Sequence, residues 1–164
     1  MGPDPPTSHT LVRLNEPVAE IRRMRTVAAE PQAIWHVLAD FGAISTWADN
    51  VDHSCLLSPG SQEIGVGTTR RVQVGRNTLV ERITEFGPTS TIAYDVEGFP
   101  RWLSVNNRWT LTPSAGATTV TLVSTITVGG PLGRIVESVV TRASAKTLDA
   151  LISGLARRLE GRHV

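Results

Sequence analysis

Three polar side chains stand where strand-like segments otherwise repeat apolar residues at every second position. Glu81 falls between Leu79 and Ile83, Tyr94 between Ile92 and Val96, and Asn107 between Val105 and Trp109. If those faces point inward, a carboxylate, a phenol and an amide share an apolar interior. There they can orient a bound molecule, with Glu81 and Tyr94 as the candidates for proton transfer. Desolvation raises the pKa of a carboxyl group, which suits a general acid or base, but burial without a partner is costly. Glu81 therefore needs an arginine, a water or a ligand. The structural alternative is that Glu81 pairs with Arg70 or Arg82 while Tyr94 and Asn107 satisfy backbone groups. A one-residue slip in register would turn all three to solvent.

Other residues with chemical potential form no constellation. His9, His36, His53 and His163 are scattered without metal-ligand spacing, so no metal is expected. His36 and Asp40, four apart, read as a helix-surface pair. There is no Gly-x-Ser-x-Gly nucleophile turn. Gly65-Val66-Gly67 lacks a third glycine and a following helix, so it reads as a turn, and no cofactor is expected. Cys55 is the only cysteine, which excludes an intramolecular disulfide, and in an alternating strand it reads as a small buried apolar residue. Of the four tryptophans, Trp35 and Trp109 read as packing residues. Trp102, beside Pro100 and Arg101 in a hairpin loop, could act as a lid.

The bulk composition sets the frame. A chain of 164 residues fits one domain, and 40% hydrophobic with 19% charged residues supports a folded core. Sixteen basic against fifteen acidic residues, net +1, argue against a nucleic-acid binder relying on clustered positive charge. Only Lys146 among the basic residues is lysine, a skew that GC-rich coding explains. No apolar run approaches the roughly 20 residues of a membrane span. Met1–Thr10 does not read as a signal peptide, so the cytoplasm is the expected compartment.

The elements that must position the polar trio follow from periodicity. Residues 1–17, with Pro3, Pro5, Pro6 and Pro17, read as a flexible leader. A first strand is expected over Ala19–Val27, then a helix opened by Pro31 with Ile34, Val37, Leu38 and Phe41 on its buried face. A short helical turn around Ala43–Trp47 follows. Six further strands are expected at Val51–Leu57, Thr68–Val74, Thr78–Phe86, Thr91–Glu97, Leu103–Thr112 and Thr118–Val128. Turns at Pro59-Gly60, Gly75–Asn77, Gly87-Pro88, Gly98–Pro100 and Pro113–Gly116 separate them, and such short links imply antiparallel pairing. Pro131 opens a long terminal helix to Glu160, with Leu132, Val136, Val139, Val140, Ala143, Thr147, Leu151, Leu155 and Leu159 along one face. A seven-stranded sheet buries only one face against one such helix. A curved sheet wrapped around it leaves a gap lined by inward residues.

That order of residues resembles the START/Bet v 1-like superfamily, in particular its bacterial polyketide cyclase/dehydrase and lipid-transport branch. The likeness is carried by Ala33–Phe41 with Ile44 and Trp47, by Gly65–Arg70, Glu81-Arg82-Ile83, Tyr94, Asn107-Arg108-Trp109 and the terminal helix. It spans Val18 to Leu159. The resemblance implies an α+β helix-grip domain over 18–160, with an apolar cavity between sheet and helix, and a tail at 161–164. It also implies a hydrophobic small molecule as ligand. Trp47–Cys55 is similar to a stretch of plant abscisic acid receptors, but Ala48 stands where those carry a ligand-anchoring lysine. An acidic ligand held in that way is not expected.

Combining alternation with the resemblance, the residues expected to touch a ligand are Trp47, Glu81, Ile83, Tyr94, Trp102, Asn107, Trp109, Val136, Val140 and Ala143. The leading functional expectation is binding, transport or sequestration of a lipid-like or polyketide-like molecule by a monomer or homodimer. The alternative is a polyketide cyclase or dehydratase that moves protons through Glu81 or Tyr94. A regulatory or toxin–antitoxin-type partner acting through a protein surface is a third class, with no positive support in the residues.

Overall fold

The computed structural model describes residues 18–57, 63–131 and 133–161. The expected leader, the Pro59-Gly60 turn, Leu132 and the last residues of the tail lie outside them. Strand β1 (Val18–Val27) leads to helix α1 (Pro31–Ala39) and a tight helical segment, Phe41–Thr46. Strands β2 (His53–Leu56), β3 (Thr69–Val74), β4 (Asn77–Gly87), β5 (Thr91–Glu97), β6 (Leu103–Ser114) and β7 (Ala117–Val128) follow, and helix α2 (Gly133–Glu160) closes the domain. The local causes are those of the sequence. Pro31 takes the first position of α1, where its missing N–H costs nothing. In β7 every second residue from Thr118 to Val128 is buried. Ala115 and Gly116 both take positive φ in the two-residue turn between Ser114 and Ala117.

All seven strands form one antiparallel sheet in the order β1-β7-β6-β5-β4-β3-β2. This is the helix-grip arrangement, with α2 held against the curved sheet's inner face. The two halves of α2 do different jobs. Its C-terminal half buries Leu148, Leu151, Ile152, Leu155 and Leu159 in the core, and Gly154 rests on the Trp47 carbonyl so closely that a Cβ there would collide with it. Arg23 and Arg25 of β1 pair with Asp149 (2.6 Å) and Glu160 (3.7 Å) along that half. In its N-terminal half only Gly133 is buried, while Val136 and Val140 are half-buried.

Several expectations need correction. The long helix begins at Gly133 rather than Pro131, after a turn in which the Gly133 N–H donates to the Gly130 carbonyl. Val139, placed on its inward stripe by periodicity, is exposed. Strand β2 is shorter than Val51–Leu57, and Cys55 is exposed. The reason is the side-chain hydroxyl of Ser54, which turns inward to donate to the Gly42 carbonyl (2.8 Å), leaving Cys55 outside. His36 contacts Gln32 through its ring nitrogen at 3.3 Å, not Asp40. No helix among the described residues is long and apolar enough to cross a membrane.

Candidate functional site

Inward side chains cross the sheet in rows set by strand register. One row runs Arg70, Glu81, Val96, Val105; the next runs Ile83, Tyr94, Asn107, Ser124; a third holds Ile92, Trp109 and Leu122. The third row is closed over by α1 and Phe41–Thr46. Trp109 meets Trp47 edge to face with ring centres 6.1 Å apart, and Tyr94 meets Phe41 at 5.6 Å. The Trp109 indole N–H donates to the Tyr94 hydroxyl at 3.3 Å. The void left among these rings is about 10 Å³, room for one water at most.

The opposite end of the sheet is not filled. Between it and the N-terminal half of α2 lies a cavity of about 630 Å³. Its wall is mostly aliphatic, from Val72, Leu79, Val96, Val105, Val140 and Leu148. Arg76 at the β3–β4 turn, Phe99 in the β5–β6 loop and Val139 on α2 are among its exposed lining residues and mark its mouth. Glu81, Asn107, Ser124 and Asn50 supply buried or part-buried polar groups to its wall, and Asn77, Thr78, Ser144 and Thr147 line it as well.

Glu81 is held by a buried ion pair. Arg70 is 3% exposed, and its Nε and Nη2 both reach Glu81 Oε2 at 2.6 Å, while Nη1 donates to the Phe41 carbonyl at 2.8 Å. The guanidinium lies 3.9 Å from the Phe41 ring centre and 4.9 Å from that of Tyr94, so both rings shield and stabilise the cation. Of the two arginines weighed as partners, Arg70 takes Glu81, and Arg82 pairs outside with Glu97 at 2.9 Å. The Arg108 side chain pairs with Glu85 at 2.5 Å, also away from the cavity.

The residues expected to meet a ligand fall into separate places. Glu81, Asn107, Val140 and Ala143 line the cavity. Trp47, Tyr94 and Trp109 surround the filled end instead. Ile83 is fully buried beside Tyr94 in register, and Val136 packs partly against the core. Trp102 is 46% exposed and outside the lining, while Phe99 of the same loop lies in it. Ser124, Asn50 and Phe99 were not among the expected binding residues. Ser124 carried a readable signal, since it shares the inner face of β7 with Leu122 and Ile126. Asn50 and Phe99 lie in loops, where no periodicity marks them.

Burial, reinforced by the Glu81 charge and opposed by Arg70 and the Trp109 hydrogen bond, pushes the Tyr94 phenol up to about 12. Because the folded value exceeds the ordinary 10.0, the stability it contributes is whole below pH 10.0 and is lost as pH rises through about 12. Two pH units correspond to about 2–3 kcal/mol. Tyr94 is the only tyrosine, so tyrosinate absorbance reports it alone. Denaturation midpoints of the wild type should fall steeply across that window, and those of Tyr94→Phe much less. Equal slopes for the two proteins would show that Tyr94 is not the group responsible.

Solved structures with the same fold include the following three. The di-domain aromatase/cyclase StfQ from the steffimycin biosynthetic pathway matches with a TM-score of 0.73 at 12% identity, over 88% of this chain and 51% of that one. This chain thus spans about half of StfQ. A START superfamily protein from Mycobacterium smegmatis matches with a TM-score of 0.69 at 18% identity, over 87% and 97% of the two chains. The Zhui aromatase/cyclase from Streptomyces sp. R1128 matches with a TM-score of 0.64 at 21% identity, over 86% and 95%. No curated protein matches the sequence. The profile of the polyketide cyclase / dehydrase and lipid transport family matches residues 18–160, and the chain belongs to that family.

Proposed function

We propose that this family member binds a hydrophobic small molecule, lipid-like or polyketide-like, in the cavity between α2 and the sheet. The observation that carries this reading is a mainly aliphatic cavity of about 630 Å³, within the range of about 300–1,000 Å³ common for small-molecule sites. A ligand there trades water for aliphatic wall, which is favourable roughly in proportion to the apolar area covered. Carriage or sequestration needs only this binding and a mouth. The exposed apolar rim of Phe99 and Val139 suits the passage of an oily molecule.

One observation favours a catalytic variant of the same reading: a carboxylate, Glu81, in the cavity wall. Tyr94 lies behind that wall and is held protonated, so proton transfer would fall to Glu81. In that case Glu81→Gln abolishes turnover of a polyketide while retaining its binding. For the binding function itself, the purified protein should enhance the fluorescence of Nile red, and native mass spectrometry should find a copurified organic molecule. Absence of both responses would remove the cavity as the working part of this protein.

A further inference from the structure

Buried polar atoms in the cavity wall lack partners. Asn107 Oδ1 and Ser124 Oγ lie in its wall directly opposite each other across β6 and β7, and neither has a protein hydrogen-bond partner among the described residues. Asn107 is 6% exposed and Ser124 1%, so both are unpartnered groups in the interior rather than solvated ones. Asn50 Oδ1, in the loop leading to β2, lines the same cavity and is likewise buried and unpartnered. Beside them Glu81 commits Oε2 to Arg70, and among the described residues Oε1 accepts no hydrogen bond. Each of these atoms can accept a hydrogen bond, and the Ser124 hydroxyl can also donate one. Arg70 spends its N–H groups on Glu81 and the Phe41 carbonyl and does not line the cavity, and Arg76 lines it only from the exposed β3–β4 turn at its mouth.

We infer that the cavity takes an uncharged ligand whose buried end is an alcohol or a phenol, seated on Glu81, Asn107 and Ser124, with the remainder of the molecule apolar. A hydroxyl hydrogen can be donated to Glu81 Oε1 or Asn107 Oδ1, and its oxygen can accept from the Ser124 hydroxyl. That one group satisfies several buried atoms that a hydrocarbon would leave unmade. A carboxylate in the same place would meet another carboxylate and unpaired carbonyl oxygens, while Arg70 is already paired and Arg76 stands at the exposed mouth. An ammonium group would find acceptors, but Arg70 already neutralises Glu81, so its dehydration would go uncompensated.

This inference rests on the cavity being the binding site, and the test separates the two. Displacement of bound Nile red is measured with naphthalene, naphthol, naphthoate and naphthylmethylammonium, which share one apolar body. Naphthol should compete at a concentration about tenfold lower than naphthalene, the worth of one net hydrogen bond to a buried partner, and naphthoate should be the weakest. Asn107→Leu combined with Ser124→Ala should erase the preference for naphthol over naphthalene. Equal potency of naphthol and naphthalene on the wild type, or tighter binding of either ion, overturns the inference while leaving cavity binding intact. If Nile red itself fails to bind, the cavity reading falls and this one falls with it. The wild-type comparison decides the matter even if the double variant does not fold.

Discussion

Arg70→Met should lower folding stability by about 3–5 kcal/mol, because it leaves the Glu81 carboxylate in an apolar wall without its counter-charge. Glu81→Leu should cost a similar amount by stranding a guanidinium that is 3% exposed and wedged between two aromatic rings. The double variant, with both charges replaced by apolar side chains, should recover most of the loss. A buried pair roughly balances desolvation against attraction, so removing both ends removes little net stability. Urea denaturation of the four proteins of this cycle reads the coupling directly. Singles that cost under about 1 kcal/mol, or losses that simply add, would mean that solvent reaches the pair through the cavity and screens it. The pair also matters to the site. It presents a carboxylate to the cavity while keeping the region neutral, which is what an uncharged, hydroxyl-bearing ligand requires.

How far these features were legible varies with the kind of signal. The inner faces of β4 to β7 followed from period-two alternation, because a strand buried on one face repeats its side chains with that period. Leu79, Glu81, Val96, Asn107 and Ser124 therefore fell on one face in the sequence as they do in the fold. What alternation leaves open is the layer that covers each part of that face. Glu81, Tyr94 and Asn107 looked equivalent, yet Phe41 and Trp47 fill the space over Tyr94 while only the half-buried start of α2 spans the cavity beside Glu81 and Asn107. That difference depends on chain segments dozens of residues away, which carry no local mark of where they pack. The helix shows the same limit. Its stripe was visible from Val136 to Leu159, but the first half of that stripe meets empty space, so Val139 is exposed and Ala143 faces the cavity. Cys55 was misplaced for a smaller reason. In a four-residue edge strand two facing choices exist, and the hydrogen bond of Ser54 to Gly42 decides between them.

The second large effect should come from filling the cavity. Val140 and Ala143 lie on successive turns of α2 and line it, one half-buried and the other exposed, so larger side chains can enter without displacing packed neighbours. Val140→Trp combined with Ala143→Trp should reduce Nile red affinity by more than about tenfold, since the aliphatic wall that would hold the dye is then covered by the protein's own indoles. Stability should not fall by more than about 1 kcal/mol, because overpacking is costly only where no space exists. The opposite behaviour is expected at the filled end. There Trp109→Ala should cost about 3–5 kcal/mol, since the indole is surrounded by Trp47, Tyr94 and Leu122 and its loss opens a void. If the double tryptophan variant instead unfolds like a core variant, the N-terminal half of α2 is packed rather than spanning a cavity, and the binding function loses its basis. If it folds, keeps its stability and still binds Nile red, the dye sits elsewhere. Only loss of binding without loss of stability separates a built cavity from a poorly filled core.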